Sequence, residues 1–413
     1  MTNPIHETNL AVIGAGAAGL MAAIQAARTN PKLKVTVLDG ARSLGAKILV
    51  AGGGRCNVTH FEVDETAFAG SSRNAIKQVL RRYGVAETVK FFAELGVELK
   101  REETGKLFPT TDRAKTVLNA LLTAAESAGV SMKFPRRVER IETDLYGFRI
   151  SGDWGTLNAQ KVILATGGKS LPKSGSDGGG YELARALGHS ITPRVFPALV
   201  PLVLQDGHFI RELGGVTLPT TLSVHNRNGK KLVSFTDSTL CAHFGLSGPS
   251  ALDISRFLID AKLDDPAASL VVNWLPGETF ESFDNTLRNL GTTTPLAFLK
   301  TRMPERLARA LVNVAKVPDG VPGHRLPRDA RVALARAVTE MPVPVVGNRG
   351  FAVAEVTAGG VPLSEIDIKR MESRIVRNLY FCGEICDVDG RIGGFNFQWA
   401  WSSGFIAGTA ATG

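Results

Sequence analysis

The chain has 413 residues, 44% hydrophobic and 21% charged, with a formal net charge of +9 and a pI near 9.5. This is ordinary globular composition with ample apolar material for a large core, and the length suggests two or three domains. Four cysteines, Cys56, Cys241, Cys382 and Cys386, are too few for a secreted disulfide framework. Cys382 and Cys386 are spaced CxxxC without a second cluster, which argues against a zinc site. No run of about 18 uninterrupted apolar residues appears, so no membrane span is expected. The opening MTNPIHETNL lacks the basic start of a signal peptide, and the expected location is cytoplasmic.

In chain order, residues 10–13 read as a short buried strand, 14–19 as a turn, 20–28 as a helix and 34–38 as a second strand ending at Asp39. Helices are expected at 73–95, 114–127 and 178–187, and another buried strand at 161–164. Near Phe196 the pattern changes to alternating strand-like runs with glycine turns. From about 280 to 338 it becomes helical and basic. Between Lys300 and Arg336 nine Lys/Arg face three Asp/Glu, so six of the nine net charges sit there. Strand character returns after Met341, and residues 378–382 read as a last core strand. The expected fold is therefore α/β, a Rossmann-type dinucleotide-binding domain made discontinuous by an insert. The boundaries are 1–195 and 346–413 for the nucleotide domain and 196–345 for the insert, of which 280–330 is the helical part.

Gly14, Gly16, Ala17, Ala18 and Gly19 belong to a GxGxxG turn that follows a strand, opens a helix and precedes a second strand ending in an acid. Gly14 permits the tight turn, Gly16 lets a pyrophosphate approach the backbone, and Gly19 lets helix and strand pack closely. The helix N-terminus offers free N–H groups and a partial positive charge. Asp39, followed by Gly40, can accept the ribose hydroxyls and would repel a 2′-phosphate. Downstream features favour FAD over NAD. Ala165, Thr166 and Gly167 close a later strand. Gly383, Glu384 and Asp389 follow the last one, and Gly393, Gly394, Phe395 and Asn396 open an apolar helix. In two-dinucleotide-fold flavoproteins that helix points its N-terminus at the flavin pyrimidine, where negative charge collects on reduction. No second GxGxxG is present, so a dedicated NAD(P)H domain is not expected. NADH or NADPH remains a candidate transient donor.

These residues also carry a family resemblance. Gly45-Ala46-Lys47 with 52–59 (GGGRCNVT) resembles the GxK…GxGRCNxTN signature of the HI0933-like FAD-binding flavoproteins, aminoacetone oxidase-like and bile-acid reductase-like NAD(P)/FAD-dependent oxidoreductases. Residues 105–109 (GKLFP), 165–168 with 175–181 and 186–189, 243–249 (HFGLSGP), 357–361 (TAGGV) and 383–399 resemble further blocks of the family. Ala51 and His60 depart from the usual Ser and Asn, and Cys382 and Cys386 replace non-cysteine residues, which marks a divergent subgroup. The resemblance implies FAD and an insert with a β-barrel-like part at 196–279 and 331–345 that carries the helical part; with no covalent-flavin signature in the sequence, the FAD is expected to be held noncovalently.

The chemistry candidates are Lys47, Arg55, Cys56 and His243. Lys47 or Arg55 near the flavin N1 or O2 would stabilise negative charge. Gly54, Arg55, Cys56 and Asn57 with Lys47 are equally candidates for cofactor binding and for bracing the glycine turn. Cys56 is a candidate redox partner, and His243, in the insert, a candidate acid or base. The expected function is an FAD-dependent oxidoreductase acting on a small molecule, as an oxidase or as an NAD(P)H-dependent enone reductase. Two alternatives are an RNA-associated flavoprotein gripping nucleic acid through the basic helices, and a flavin-binding module without turnover. The pattern specifies no oligomeric state.

Overall fold

The computed structural model describes residues 7–413. Residues 1–6, part of the stretch read as lacking a signal peptide, lie outside the described residues. The chain divides into two compact units, residues 1–197 with 355–413, and residues 198–354.

The first unit is built on a sheet whose central strands are parallel, in the order Leu379–Phe381, Gly155–Leu164, Thr8–Ile13, Val35–Leu38, Ser131–Lys133. Antiparallel strands Ile366–Asp367 and Glu372–Ser373 extend one edge. Val35–Leu38 is buried throughout and Thr8–Ile13 almost so, as a parallel sheet covered on both faces requires. Helix Ala17–Thr29 leaves the glycine turn and lies against the C-terminal helix Phe395–Ala410. A side chain at Gly404 would stand 2.5 Å from the Ala18 carbonyl oxygen, and one at Gly408 2.9 Å from Ala22 Cα. Small residues four apart on both helices thus let the two backbones nearly touch. That contact fixes the start of the C-terminal helix relative to the glycine turn. A small sheet of Thr59–His60, Lys106–Pro109 and Leu99–Arg101 abuts the same start. A side chain at Gly394 would lie 2.5 Å from the Thr59 carbonyl carbon.

The region read as one helix over 73–95 is two, Arg73–Arg82 and Val85–Glu94. Gly84 caps the second, its N–H donating to Glu87 Oε2 at 2.9 Å. Apolar periodicity runs through the break, because both helices bury the same kind of face.

The second unit has its own core around Leu222, Leu258, Trp274, Phe283 and Leu334. Its seven-stranded sheet runs Met341–Val343, Ser269–Asn273, Thr217–His225, Lys231–Ala242, Gly245–Ser247, Leu202–Leu204, Val345–Asn348. The two edge strands are consecutive in the chain, separated by Pro344, so the sheet curls until its edges meet at one residue. The sequence boundary at 345/346 falls inside this sheet. Residues 345–348 pair with Leu202–Leu204, and the second unit continues to residue 354.

Helices Phe280–Arg288, Pro295–Lys300, Glu305–Val314 and Arg328–Thr339 form its helical part. Six of the nine cations counted there have partners within the same unit, and for four of them the partner is an acid. Lys300 and Arg309 pair with Glu305, Arg302 with Glu278, and Arg331 with Asp284. Arg306 donates to the carbonyls of Glu212 and Gly214, and Arg336 lies over Phe280. Several of these partners precede residue 300, outside the counted window. Over 278–340 ten Lys/Arg face seven Asp/Glu, leaving +3.

Candidate functional site

Strands Thr8–Ile13, Gly155–Leu164 and Leu379–Phe381 lie side by side and parallel, so the segments leaving their carboxyl ends converge. These are the glycine turn at 14–19, residues 165–168, and residues 382–384. Ligands of open parallel sheets bind at this edge.

The turn is held by its own acid. Asp39 Oδ2 accepts the Ala15 N–H and Oδ1 the Ala41 N–H, each at 2.7 Å. Each oxygen keeps a further lone pair for a ligand hydroxyl. Gly14 has φ +105°, and a side chain there would stand 2.5 Å from the Ala165 carbonyl oxygen. A side chain at Gly19 would overlap the Gly14 carbonyl. Gly16 differs from both, because a Cβ there meets nothing within 4 Å. It caps helix Ala17–Thr29 with no side-chain acceptor, so the first N–H groups of that helix face open space. The C-terminal helix likewise starts at Gly394 without a side-chain cap or an acid in its first turn.

Lys47, on the kinked helix Ala46–Gly54, spends all three of its donors within the protein. Its Nζ lies 2.8 Å from Ser170 Oγ, 3.0 Å from Ser176 Oγ and 2.7 Å from Glu384 Oε2. Glu384 Oε1 also accepts from Ser170 Oγ and from the Thr357 N–H, both at 2.9 Å. Ser170 lies outside the motifs singled out in the sequence. Ser176 and Thr357 fall inside two of them, but nothing local announces that they converge on Lys47.

Arg55 is engaged elsewhere. Its guanidinium donates to Glu102 at 2.6 Å and stacks 4.0 Å from the Phe108 ring centroid. Cys56 has φ +61° and is fully buried, and burial pushes its thiol up to about 12. A thiol so buried is inert, not redox-poised. Cys382 and Cys386 are buried and shifted upward in the same way. Asn396 Nδ2 and Oδ1 both bind the Gly390 backbone, and Asp389 is buried within the strand Val388–Gly390. Gly383 N–H donates to Ser403 Oγ, and its carbonyl accepts from Trp399 Nε1. His243 lies in the second unit, at the turn between Lys231–Ala242 and Gly245–Ser247, its ring edge-on to Phe244.

Two buried polar atoms near these loops have no protein partner, Asn57 Oδ1 and Thr166 Oγ1. Such atoms cost about 1–3 kcal/mol each unless a ligand or water satisfies them. Together with the open face of Gly16 and two uncapped helix N-termini, they fit a dinucleotide carrying phosphates, hydroxyls and a polar ring. Among the described residues no three His, Cys, Asp or Glu side chains are grouped to hold a metal ion. No helix there is long and apolar enough to cross a membrane.

Comparison with known proteins agrees with this geometry. Residues 8–410 match the family described as the HI0933-like protein Rossmann domain. A 3-dehydro-bile acid delta(4,6)-reductase of Clostridium scindens is 34% identical, covering 97% of this chain and 98% of its own. A ribosomal RNA dihydrouridine synthase of Escherichia coli is 32% identical, covering 95% of each chain. Among solved structures, the 3-ketosteroid delta1-dehydrogenase of Sterolibacterium denitrificans superposes with a TM-score of 0.54 at 13% identity, covering 98% of this chain and 99% of that one. At that identity the likeness shows the fold alone. The chain belongs to the HI0933-like family of FAD-binding flavoproteins, and with it to the FAD-dependent oxidoreductases.

Proposed function

We propose that this protein reduces a carbon–carbon double bond conjugated to a carbonyl group, using noncovalently held FAD. The observation that carries this is the near-equal, end-to-end kinship with two relatives whose names share one chemistry. A delta(4,6)-reductase of a 3-dehydro steroid and a dihydrouridine synthase both saturate a double bond in line with a ring carbonyl.

FAD, when bound, supplies hydride chemistry. The chain's residues bind and orient. The Gly14–Gly19 turn and the first N–H groups of Ala17–Thr29 take the pyrophosphate, and Asp39 takes the adenosine ribose. Asn57 and Thr166 complete their hydrogen bonding on the cofactor, and the start of the C-terminal helix faces the pyrimidine end. Lys47, Ser170 and the Thr357 N–H hold Glu384 in place beside the Gly383 turn. With one dinucleotide fingerprint, already spent on FAD, NADH or NADPH acts as a transient donor.

The ion pairing of the insert's cations favours a small-molecule substrate over nucleic acid gripped by those helices. The test incubates holoenzyme and NADPH separately with a 3-oxo-4,6-diene steroid and with unmodified ribosomal RNA, and analyses products by mass spectrometry. A gain of two hydrogens in the steroid supports the reading. A gain in RNA uridines keeps the chemistry and replaces the substrate class. Substrate oxidation would overturn the proposal.

A further inference from the structure

The cations beside the small three-stranded sheet have counter-charges or aromatic seats, with one exception. Lys100 pairs with Asp112, Arg55 with Glu102, and Arg101 lies over the Phe61 ring. Lys106 has no ion pair or hydrogen bond from its side chain among the described residues. It runs toward the start of the C-terminal helix. A side chain at Gly393 would stand 3.5 Å from Lys106 Cε, 3.5 Å from Phe395 Cε2 and 3.7 Å from His60 Cδ2.

His60 is the cross-strand partner of Lys106 in the small antiparallel sheet. Its ring stacks on Phe395 with centroids 4.9 Å apart and an interplanar angle of 21°. Its Nε2 lies 3.0 Å from the Thr104 carbonyl, and its Nδ1 accepts the Glu62 N–H at 3.2 Å. The imidazole is therefore held at both nitrogens.

The result is an electrostatic oddity. An ammonium without a partner stands beside the positive end of a 16-residue helix that has neither an acidic first turn nor a capping side chain. Like charge at a helix N-terminus is unfavourable. Negative charge brought to this helix start would compensate the arrangement.

We propose that Lys106, positioned by His60, is a tuning residue for the flavin. Its ammonium adds to the helix N-terminus in stabilising negative charge at the pyrimidine end and so raises the reduction potential. This rests on the FAD reading above. Lys47 and Arg55, the cations singled out by sequence for that role, are committed to Glu384 and Glu102, and Lys106 is free to fill it.

The test uses the FAD-loaded protein and its Lys106→Gln, Lys106→Arg and His60→Ala variants. Two readouts besides activity are needed, FAD content and the dissociation constant for sulfite. Sulfite adds to flavins more tightly where negative charge on the ring is stabilised. At an effective dielectric constant of about 20, loss of a unit charge acting across as much as ~10 Å should weaken sulfite binding about tenfold or more in Lys106→Gln. A tenfold change corresponds to about 30 mV for a two-electron couple. Lys106→Arg should stay near wild type, and His60→Ala should fall between. Full FAD content with unchanged sulfite affinity in Lys106→Gln overturns the proposal. So does loss of FAD from that variant, which would make Lys106 an anchor. Failure of the wild-type chain to take up FAD would instead overturn the cofactor reading.

Discussion

Gly16 separates the needs of the fold from the needs of the ligand. Its backbone is extended, with φ −79° and ψ −171°, a conformation open to any residue, and a Cβ there meets no protein atom within 4 Å. Gly16→Val should therefore cost the FAD-free protein no more than about 1 kcal/mol, the scale of replacing glycine by an apolar residue at a helix N-cap. Gly19→Ala is the internal contrast. Its methyl would overlap the Gly14 carbonyl and stand 3.2 Å from Ala165 Cβ, an overpacking worth about 1–3 kcal/mol. The ligand reverses the comparison. FAD at 100 times its Kd adds about 2.7 kcal/mol to a protein that binds it only when folded. The valine side chain occupies the space needed by the pyrophosphate, so this increment should vanish in Gly16→Val. The assay is urea unfolding of the FAD-free protein with and without added FAD, together with FAD content after gel filtration. Wild-type stabilisation by FAD in Gly16→Val would refute the phosphate assignment, and a large loss in FAD-free stability would refute the open-face geometry.

Lys47→Met removes the ammonium that organises Glu384, Ser170 and Ser176, so it should cost about 1–3 kcal/mol and lower FAD retention at least as much as the rate of flavin reduction; slowed reduction with full FAD content would contradict this. All four cysteines are buried, and burial raises the thiols of Cys56 to about 12 and Cys241 to about 11. Ellman's reagent at pH 8 should find them unreactive in the native protein and all reactive in denaturant. Rapid native labelling of Cys56 would reopen its redox candidacy. Burial holds His189 below its ordinary value of 6.5, while Glu365, 2.8 Å from its Nδ1, pulls upward. A depressed folded value means stability present above pH 6.5 and lost as pH falls through the folded value. The loss approaches at most about 1.4 kcal/mol per pH unit. Urea midpoints of His189→Gln should show a correspondingly flatter acid limb, and an unchanged slope would remove His189 as its source.

The glycine turn and its acid were legible because the chemistry is local. Strand, turn, helix, strand and Asp39 follow one another within the first forty residues, and their spacing alone predicts the geometry found. The helix at 114–127 was legible for the same reason, a clean apolar period between polar flanks. Lys47 and Arg55 show the opposite case. Sequence places both beside the glycine-rich segment, but their partners, Glu384 and Glu102, lie 337 and 47 residues away. Only the fold reveals that the two charges are spent. The basic stretch of the insert misleads similarly, since Glu278 and Asp284 neutralise residues they precede by 24 and 47 positions. The insert's second boundary, expected at 345/346, falls inside its sheet because residues 345–348 pair with Leu202–Leu204, a long-range choice that composition does not encode.

The most direct test is a half-reaction under argon. The FAD-loaded protein is reduced photochemically, mixed in a stopped-flow instrument with a 3-oxo-4,6-diene steroid or with unmodified ribosomal RNA, and followed by flavin absorbance. The account predicts that one of these conjugated acceptors reoxidises the flavin rapidly with no oxygen present, while the corresponding saturated compound does not. A flavin that stays reduced with either acceptor, and is reoxidised only when oxygen is then admitted, would contradict it.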